Sequence, residues 1–357
     1  MAASKNVRIS RMQTKRKKSI AAFSKAAISG KSPVGRVLTH EDRLELLLRS
    51  LEKRRFKEGP DKKTSLIYIP KYTSAENYLI LKLLLEDPFR TIDYIYKKTR
   101  IGTLIFYFTP AHFSYLAREL SRTKKVYDFF SALSKDKYRV HHFAQGLVRK
   151  NAIESFFKPL GLKDMETVAR AMGHNIGAFM DGLFYVKDSD KVQIAQSFAK
   201  ALTEVETTPY TRYGKVVGSR DIPKIYPFVQ YMGENSRVFA RELVNNDSLG
   251  IFLSGLGKEI YWLGRGLGLK SGSFAQGILG AKNSISGLSQ LAFGLKDHIN
   301  SFNSGLSLML EKPGLTTLNA RKLFMDRFTT QLTGYFKKYL EKQGIDSRVI
   351  SRFISGY

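Results

Sequence analysis

Apolar residues recur at helical spacing over most of the chain. After Thr39, four leucines stand at positions i, i+3, i+4 and i+7, a pattern typical of a helix with one buried face. Thr39 and Asp42 are placed for a capping box at its start, and Lys53-Arg54-Arg55 puts cations where the helix dipole favours them. The pattern therefore predicts a helix from Thr39 to about Phe56.

The strongest helix start lies at Thr109-Pro110, because threonine caps a helix and proline is tolerated at its first position. The helix that follows places on one face Phe113, Leu116, Ala117 and Leu120. Further helices are predicted after Ser74 and Thr91 and over 138–157, 164–172, 188–205, 234–245 and 320–342. No internal repeat is visible at periods of about 20–50 residues. The chain is therefore predicted to be mainly α-helical.

Four stretches interrupt the helical pattern. Leu66–Ile69 and Glu259–Leu263 have the composition of short strands. Residues 209–233 combine four tyrosines with several cations, which predicts a loop that lines a groove, with a plain connection between helical regions as the alternative. Residues 250–305 are rich in Gly and Ser with scattered Leu, Ile and Phe, and we predict an extended segment that buries these apolar side chains.

Positive charge is spread along the whole molecule. The first forty residues contain ten Lys or Arg and no Asp or Glu, and their low apolar content predicts a disordered basic arm over residues 1–38. The net charge is +28, so the remaining 317 residues still carry +18. A surface this positive favours a dense polyanion, most commonly nucleic acid, as its partner.

Clusters of cations inside the helical region give the candidate nucleic-acid contacts. Several stand beside tyrosines, as at Tyr138-Arg139 and around Arg212, and this mixture of cations and rings holds single strands without sequence preference. Each cluster alone is explained equally well as a solvated helix face. The cations that we predict to bind RNA are Arg54, Arg55, Lys62, Lys63, Lys97, Lys98, Arg100, Arg118, Arg122, Lys124, Lys125, Arg139, Arg149, Lys150, Arg212, Lys215, Arg220, Arg237 and Arg241.

One compact basic cluster in the arm has three interpretations. Lys15, Arg16, Lys17 and Lys18 fit a nuclear-import signal or a tail that contacts RNA. An acid-free segment rich in Arg, Lys and Ser is also typical of a mitochondrial transit peptide.

The sequence offers no sign of catalysis, and we predict no enzyme, no cofactor and no metal site. There is no cysteine, and the six histidines show no metal-binding spacing. Gly264-Arg265-Gly266-Leu267-Gly268 lacks the spacing of a dinucleotide-binding loop, and no GxxxxGK[ST] motif is present. No stretch approaches the roughly 20 apolar residues of a membrane span, so no membrane partner is predicted.

The segment Glu259–Arg265 resembles the Arg-Tyr-Trp-containing strand of the nucleoproteins of influenza-type (orthomyxovirus-like), segmented negative-strand RNA viruses. Tyr261, Trp262 and Arg265 match in type, and residues 266–310 take the position of the tail loop that follows. The resemblance implies a two-lobed helical protein, with head and body, and a basic groove for single-stranded RNA. It also implies homo-oligomers, in which each tail loop inserts into a neighbouring subunit.

The resemblance divides the chain into four parts. These are the arm (1–38), helical RNA-binding lobes (39–265), a Gly/Ser-rich tail loop (266–310) and a C-terminal helix and tail (311–357). Large apolar residues of the tail loop would make the subunit contacts, with packing on their own subunit as the alternative. They are Phe274, Ile278, Leu279, Leu288, Leu291 and Phe293.

These observations predict a viral nucleoprotein that coats single-stranded genomic RNA and self-assembles into a ribonucleoprotein. Its partners would be single-stranded RNA, further copies of itself and, by the resemblance, a viral polymerase. Its location would be the virion ribonucleoprotein and the host nucleus or cytoplasm. The alternatives are a ribosomal structural protein, for which the location would be the mitochondrion, and an internal or capsid protein that neutralises a packaged genome.

Overall fold

The computed structural model describes residues 37–55, 74–98, 108–212 and 215–310, together with Arg348. The chain divides into two compact units, Met1–Phe108 and Thr109–Tyr357, and each is described by itself. The predicted arm up to residue 36, the strand at Leu66–Ile69 and the helix over 320–342 lie outside the described residues.

The described part of the first unit consists of three helices, α1 (His40–Arg55), α2 (Ser74–Glu86) and α3 (Pro88–Lys98). The predicted capping box of α1 is confirmed: the Asp42 amide donates to Thr39 Oγ1 at 3.1 Å, and the Thr39 amide donates to Asp42 Oδ2 at 3.0 Å. Arg43 donates to the Glu86 carboxylate at 2.8 Å and so links α1 to α2.

The second unit is mainly helical, with one pair of strands, as far as the structure describes it. None of its described helices is long and apolar enough to cross a membrane, and the same holds for the first unit. Its elements are α4 (Pro110–Arg122), α5 (Val126–Ser134), α6 (Lys137–Arg149), α7 (Ile153–Phe157), α8 (Leu162–Met172), α9 (Ile176–Leu183), α10 (Asp188–Thr203), β1 (Val205–Arg212), β2 (Lys215–Pro223), α11 (Ile225–Met232), α12 (Ser236–Asn245), α13 (Leu249–Leu256), α14 (Ile260–Leu267), α15 (Ser271–Leu279), α16 (Ser284–Leu295) and α17 (Ile299–Leu310).

Each helix of the second unit packs mainly against the helix three places further along the chain. Three rows of stacked helices result. The first row holds α4, α7, α10, α13 and α16, the second holds α5, α8, α11, α14 and α17, and the third holds α6, α9, α12 and α15. The unit is therefore built from successive repeats of three helices.

This repeat was not predicted from the sequence. Helices α11, α12 and α13 begin at Ile225, Ser236 and Leu249, and α14, α15 and α16 each begin 35 residues later. A short signature marks three junctions between the second and third rows, where a glycine with positive φ precedes a buried phenylalanine by six positions. The pairs are Gly173 with Phe179, Gly233 with Phe239, and Gly268 with Phe274.

Phenylalanine rings connect the first row through the core. Phe113 of α4 lies 6.3 Å from Phe156 of α7, measured between ring centroids, and Phe157 lies 5.9 Å from Phe198 of α10. Phe198 in turn lies 5.8 Å from Phe252 of α13. All five rings are fully buried, and edge-on or tilted pairs at these distances add to the stability gained from burial alone. The predicted buried face of α4 is confirmed by the same contacts.

The glycine-rich segment is helical, so the prediction of an extended tail loop over 266–310 is wrong. Glycines lie where helices of one row touch, and a methyl group there would overlap a backbone carbonyl of the neighbouring helix. The pairs in closest approach are Gly264 with Phe302, Gly277 with Arg237, and Gly305 with Tyr261. In this segment glycine allows helix backbones to approach each other closely and does not provide flexibility. The predicted strand Glu259–Leu263 is likewise wrong, since these residues enter α14.

The apolar residues assigned to subunit contacts pack on their own chain, which was the alternative. Phe274, Ile278, Leu288 and Leu291 are at most 3% exposed, and Leu279 is half-buried. Only Phe293 among these six is largely exposed, at 64%. The oligomerisation role predicted for Phe274, Ile278, Leu288 and Leu291 is therefore wrong, because these side chains are buried within their own chain; for Leu279 and Phe293 it stays a prediction.

The tyrosine-rich stretch is not a loop but an antiparallel pair of strands followed by a helix. The register of β1 and β2 runs from Val205 opposite Pro223 to Arg212 opposite Lys215, with an irregularity between Tyr210 and Thr211. Helix α11 begins directly after, at Ile225. We call residues 205–212 and 215–223 the ribbon.

Gly277→Ala is expected to destabilise the second unit by about 1–3 kcal/mol or more, because the added methyl must push α15 away from the Arg237 carbonyl. The matched control is Gly218→Ala in the ribbon, where a Cβ would meet no atom within 4 Å. Urea unfolding of both variants checks the prediction. Equal midpoints for the two variants would show that the close approach of α12 and α15 is not needed.

Candidate nucleic-acid interface

Arg265 lies against two aromatic rings on the surface of the second row. Its guanidinium carbon is 5.1 Å from the centre of the Trp262 ring, on the same helix, and 5.5 Å from the centre of the Tyr226 ring on α11. The Tyr226 and Trp262 rings contact each other edge-on at 5.4 Å. Within the part of the chain that the structure describes, Arg265 forms no ion pair, and its buried Nε has no acceptor.

A glycine sets this geometry. Gly266 follows Arg265, and a Cβ at that position would lie 2.7 Å from the Tyr226 carbonyl oxygen. Without that Cβ the backbones of α11 and α14 come close enough for the Arg265 side chain to reach the Tyr226 ring. The glycine content of the segment therefore supports the site directly.

A second arginine–aromatic pair joins α8 to α11. The Arg170 guanidinium carbon lies 4.4 Å from the centre of the Tyr231 ring on α11. Arg170 also pairs with Glu166 at 2.6 Å, so its charge is partly neutralised. We call Arg170, Tyr231, Tyr226, Trp262 and Arg265 the arginine–aromatic stripe. It spans three neighbouring helices of the second row, α8, α11 and α14.

The stripe combines the two kinds of group that bind a nucleic-acid strand. A guanidinium stacked on a ring keeps its N–H edge free to donate to a phosphate, and stacking limits the rotamer freedom that binding would remove. Aromatic faces accept any base by stacking. Tyr226, Trp262 and Arg265 are each half-buried. A ligand can therefore reach their side chains from solvent, while packing limits the motion of these side chains.

The ribbon is firmly attached at its base. The Leu162 amide, at the start of α8, donates to the Glu206 carboxylate at 2.9 Å. The buried Lys224 ammonium donates to the carbonyl oxygens of Phe157 at 3.0 Å and Lys158 at 2.8 Å, at the end of α7. Burial lowers the pKa of Lys224, while the nearby Glu204 carboxylate acts in the opposite direction. A two-stranded ribbon is marginal by itself in water, so these contacts hold it in place.

The far half of the ribbon is exposed and basic. Tyr210 and Val216 are 46% and 68% exposed, and the Arg220 guanidinium lies 5.4 Å from the centre of the Tyr210 ring. Residues 209–220 contain three cations and no acid. Residues 109–310 as a whole contain 26 Lys or Arg against 17 Asp or Glu. The ribbon thus concentrates positive charge within residues 109–310, whose overall excess is moderate.

The predicted RNA-binding cations are distributed over several surfaces. Arg118, Arg122 and Lys124 belong to α4 and its end, and Lys125 precedes α5; Arg139, Arg149, Lys150, Arg237 and Arg241 belong to the third row; Lys215 and Arg220 belong to the ribbon. Among these cations, Arg122 pairs with Glu119 at 2.6 Å, Arg241 pairs with Glu242 at 3.1 Å, and Arg139 donates to the Ala132 carbonyl at 3.2 Å. Lys15–Lys18, Lys62, Lys63 and Arg100 lie outside the described residues, as do the side chains of Arg54, Arg55, Lys97, Lys98 and Arg212.

The sequence analysis missed Arg170 and Arg265 as candidate contacts. Trp262 and Arg265 were noticed, but within a predicted strand. Residues three apart point to opposite faces of a strand and to the same face of a helix. Recognising α14 as a helix would have placed the ring and the guanidinium together.

Lys224→Met is expected to loosen the base of the ribbon and to reduce the free energy of unfolding by about 1–3 kcal/mol, because two carbonyls lose their donor. Lys282→Met, at an exposed lysine between α15 and α16, is the control. Urea unfolding together with limited proteolysis near Lys215 checks the prediction. If cleavage of the two variants is the same, Lys224 does not hold the ribbon.

The chain matches no family model, no curated protein and no solved structure, so its function is inferred from its own geometry and charge.

Proposed function

We propose that the protein is a nucleoprotein that coats single-stranded RNA without sequence preference. The observation that carries the proposal is Arg265, whose guanidinium carbon lies within 5.5 Å of the centres of both the Trp262 and the Tyr226 ring and which forms no ion pair among the described residues. The net charge of +28 supports it, because a polyanion relieves the repulsion of so many like charges. The setting we propose, following the resemblance at Tyr261, Trp262 and Arg265, is a viral ribonucleoprotein.

Binding at the stripe follows from the chemistry of its groups. Arg265 donates to a phosphate oxygen, and charge-assisted bonds of this kind are among the strongest that proteins make to nucleic acid. Trp262 and Tyr226 stack neighbouring bases, and stacking tolerates every base because each one has a π face. Neither contact reads a base edge, which is the basis for proposing binding without sequence preference.

The ribbon and the arm supply further positive charge for RNA in this proposal. Arg220 and Lys215 attract phosphates at the far half of the ribbon. The ten cations from Lys5 to Arg36 add an attraction to RNA that does not depend on its sequence. The stripe then forms part of the basic groove that the resemblance implies. The proposal does not include assembly through residues 266–310, since α14–α17 use those residues within one chain.

Arg265→Gln is expected to weaken binding of a single-stranded RNA about tenfold, because it removes the charge and the stacked plane together. Arg265→Lys keeps the charge and is expected to recover only part of the loss. Trp262 is the only tryptophan of the chain, so quenching of its fluorescence by RNA reports on the stripe itself. Titrations at several salt concentrations measure both the affinity and the number of neutralised phosphates.

The control is Lys282→Gln, which removes an equal charge at an exposed position away from the stripe. Lys282→Gln should weaken RNA binding less than Arg265→Gln does. Equal losses for the two variants would mean that charge alone binds RNA. Affinity that does not fall with salt, or saturation at one defined RNA sequence, would contradict the coating function.

A further inference from the structure

A groove with a cavity volume of about 620 Å³ crosses the third row, where it is formed by α6, α9 and α12. Small residues make its floor: Gly177 and Ala178 on α9 lie beside Val238 on α12. The glycine at position 177 allows α9 and α12 to approach closely here, because a Cβ there would lie 2.7 Å from a methyl carbon of Val238. The volume falls within the range of about 300–1,000 Å³ that small-molecule sites have.

A histidine on the wall of the groove is oriented by a carboxylate. His141 Nδ1 lies 2.8 Å from Asp181 Oδ2, across the contact between α6 and α9. With the proton on Nδ1 donated to Asp181, Nε2 is left as an acceptor, and it bonds to no other described residue. Burial lowers the pKa of His141 and the Asp181 charge opposes this, which favours the neutral ring at pH 7. The neighbouring His142 turns to Gln145 instead, at 3.3 Å.

The rim supplies a ring and two cations. Tyr138 is 60% exposed, and the Lys137 ammonium lies 5.3 Å from the centre of its ring. Arg241 stands across the groove on α12, with its Nε donating to Glu242 at 3.1 Å, so the other guanidinium nitrogens stay available for a ligand. The groove therefore offers an aromatic face, an oriented hydrogen-bond acceptor and two cations, next to the Asp181 and Glu242 carboxylates that bond to His141 and Arg241.

We propose that this groove binds one nucleotide unit, with its base against Tyr138 and His141 and its phosphate against Lys137 and Arg241. A flat ring that carries amino or imino donors fits the Tyr138 face and the His141 acceptor, and a phosphate fits the two cations. A simple anion would leave the ring and the histidine unused. The inference rests on the proposed function in so far as the nucleotide belongs to a bound RNA; a free nucleoside monophosphate has the same chemistry.

The full-length protein is titrated with uridine monophosphate, adenosine monophosphate and ribose 5-phosphate while the imidazole signals are followed by NMR. We expect the two nucleotides to shift the His141 signal and to bind at least tenfold more tightly than ribose 5-phosphate, because the sugar phosphate lacks the base. His141→Gln should reduce nucleotide affinity about tenfold, and His142→Gln should leave it unchanged. Lys137→Gln, at an exposed position, should also reduce nucleotide affinity.

Equal binding of ribose 5-phosphate, or no effect of His141→Gln and Lys137→Gln, would overturn the nucleotide site. In a second experiment, the affinity of the same variants for single-stranded RNA is measured. RNA binding by the wild-type protein, with no response at His141 to RNA or to either nucleotide, would leave the coating function standing and refute the groove. Nucleotide binding at His141 without any affinity for RNA would refute the coating function and keep the groove as a site for free nucleotides.

Discussion

The packing of each helix against the one three places along is the constraint on which the rest of the second unit depends. It requires backbones of successive repeats to approach closely, which glycine allows at positions such as Gly277 and Gly305. It also requires large rings to fill the core along a row, which the Phe113–Phe252 series provides in the first row. Small residues at the contacts and large ones between them let short helices, many of only eight or nine residues, form one core.

Both candidate sites follow from this arrangement. The stripe needs α8, α11 and α14 side by side, because the arginines of α8 and α14 both reach rings on α11 between them. The groove needs α6, α9 and α12 in the same relation, since the His141–Asp181 pair joins two of them and Arg241 comes from the third. A protein with this stacking repeats similar surfaces along each row, and individual side chains give each surface its chemistry.

Local signals in the sequence were sufficient to predict helix starts and buried faces. Thr39 and Thr109 cap their helices through atoms within three residues, so no distant part of the chain has to be known. The glycine-rich region could not be predicted in this way. Glycine has low helix propensity, and only the approach of another helix turns its missing side chain into an advantage. Because this region was predicted to be extended, Trp262 and Arg265 were not placed on one face, and a tail loop was predicted in place of four helices.

Ultraviolet crosslinking of a photoreactive single-stranded RNA to the full-length protein, with the attached residues identified by mass spectrometry, tests the central claim most directly. The account predicts crosslinks at Tyr226, Tyr231 and Trp262 on the second row, in addition to any in the basic arm. Crosslinks confined to residues 1–36, with none on α8, α11 or α14, would contradict it.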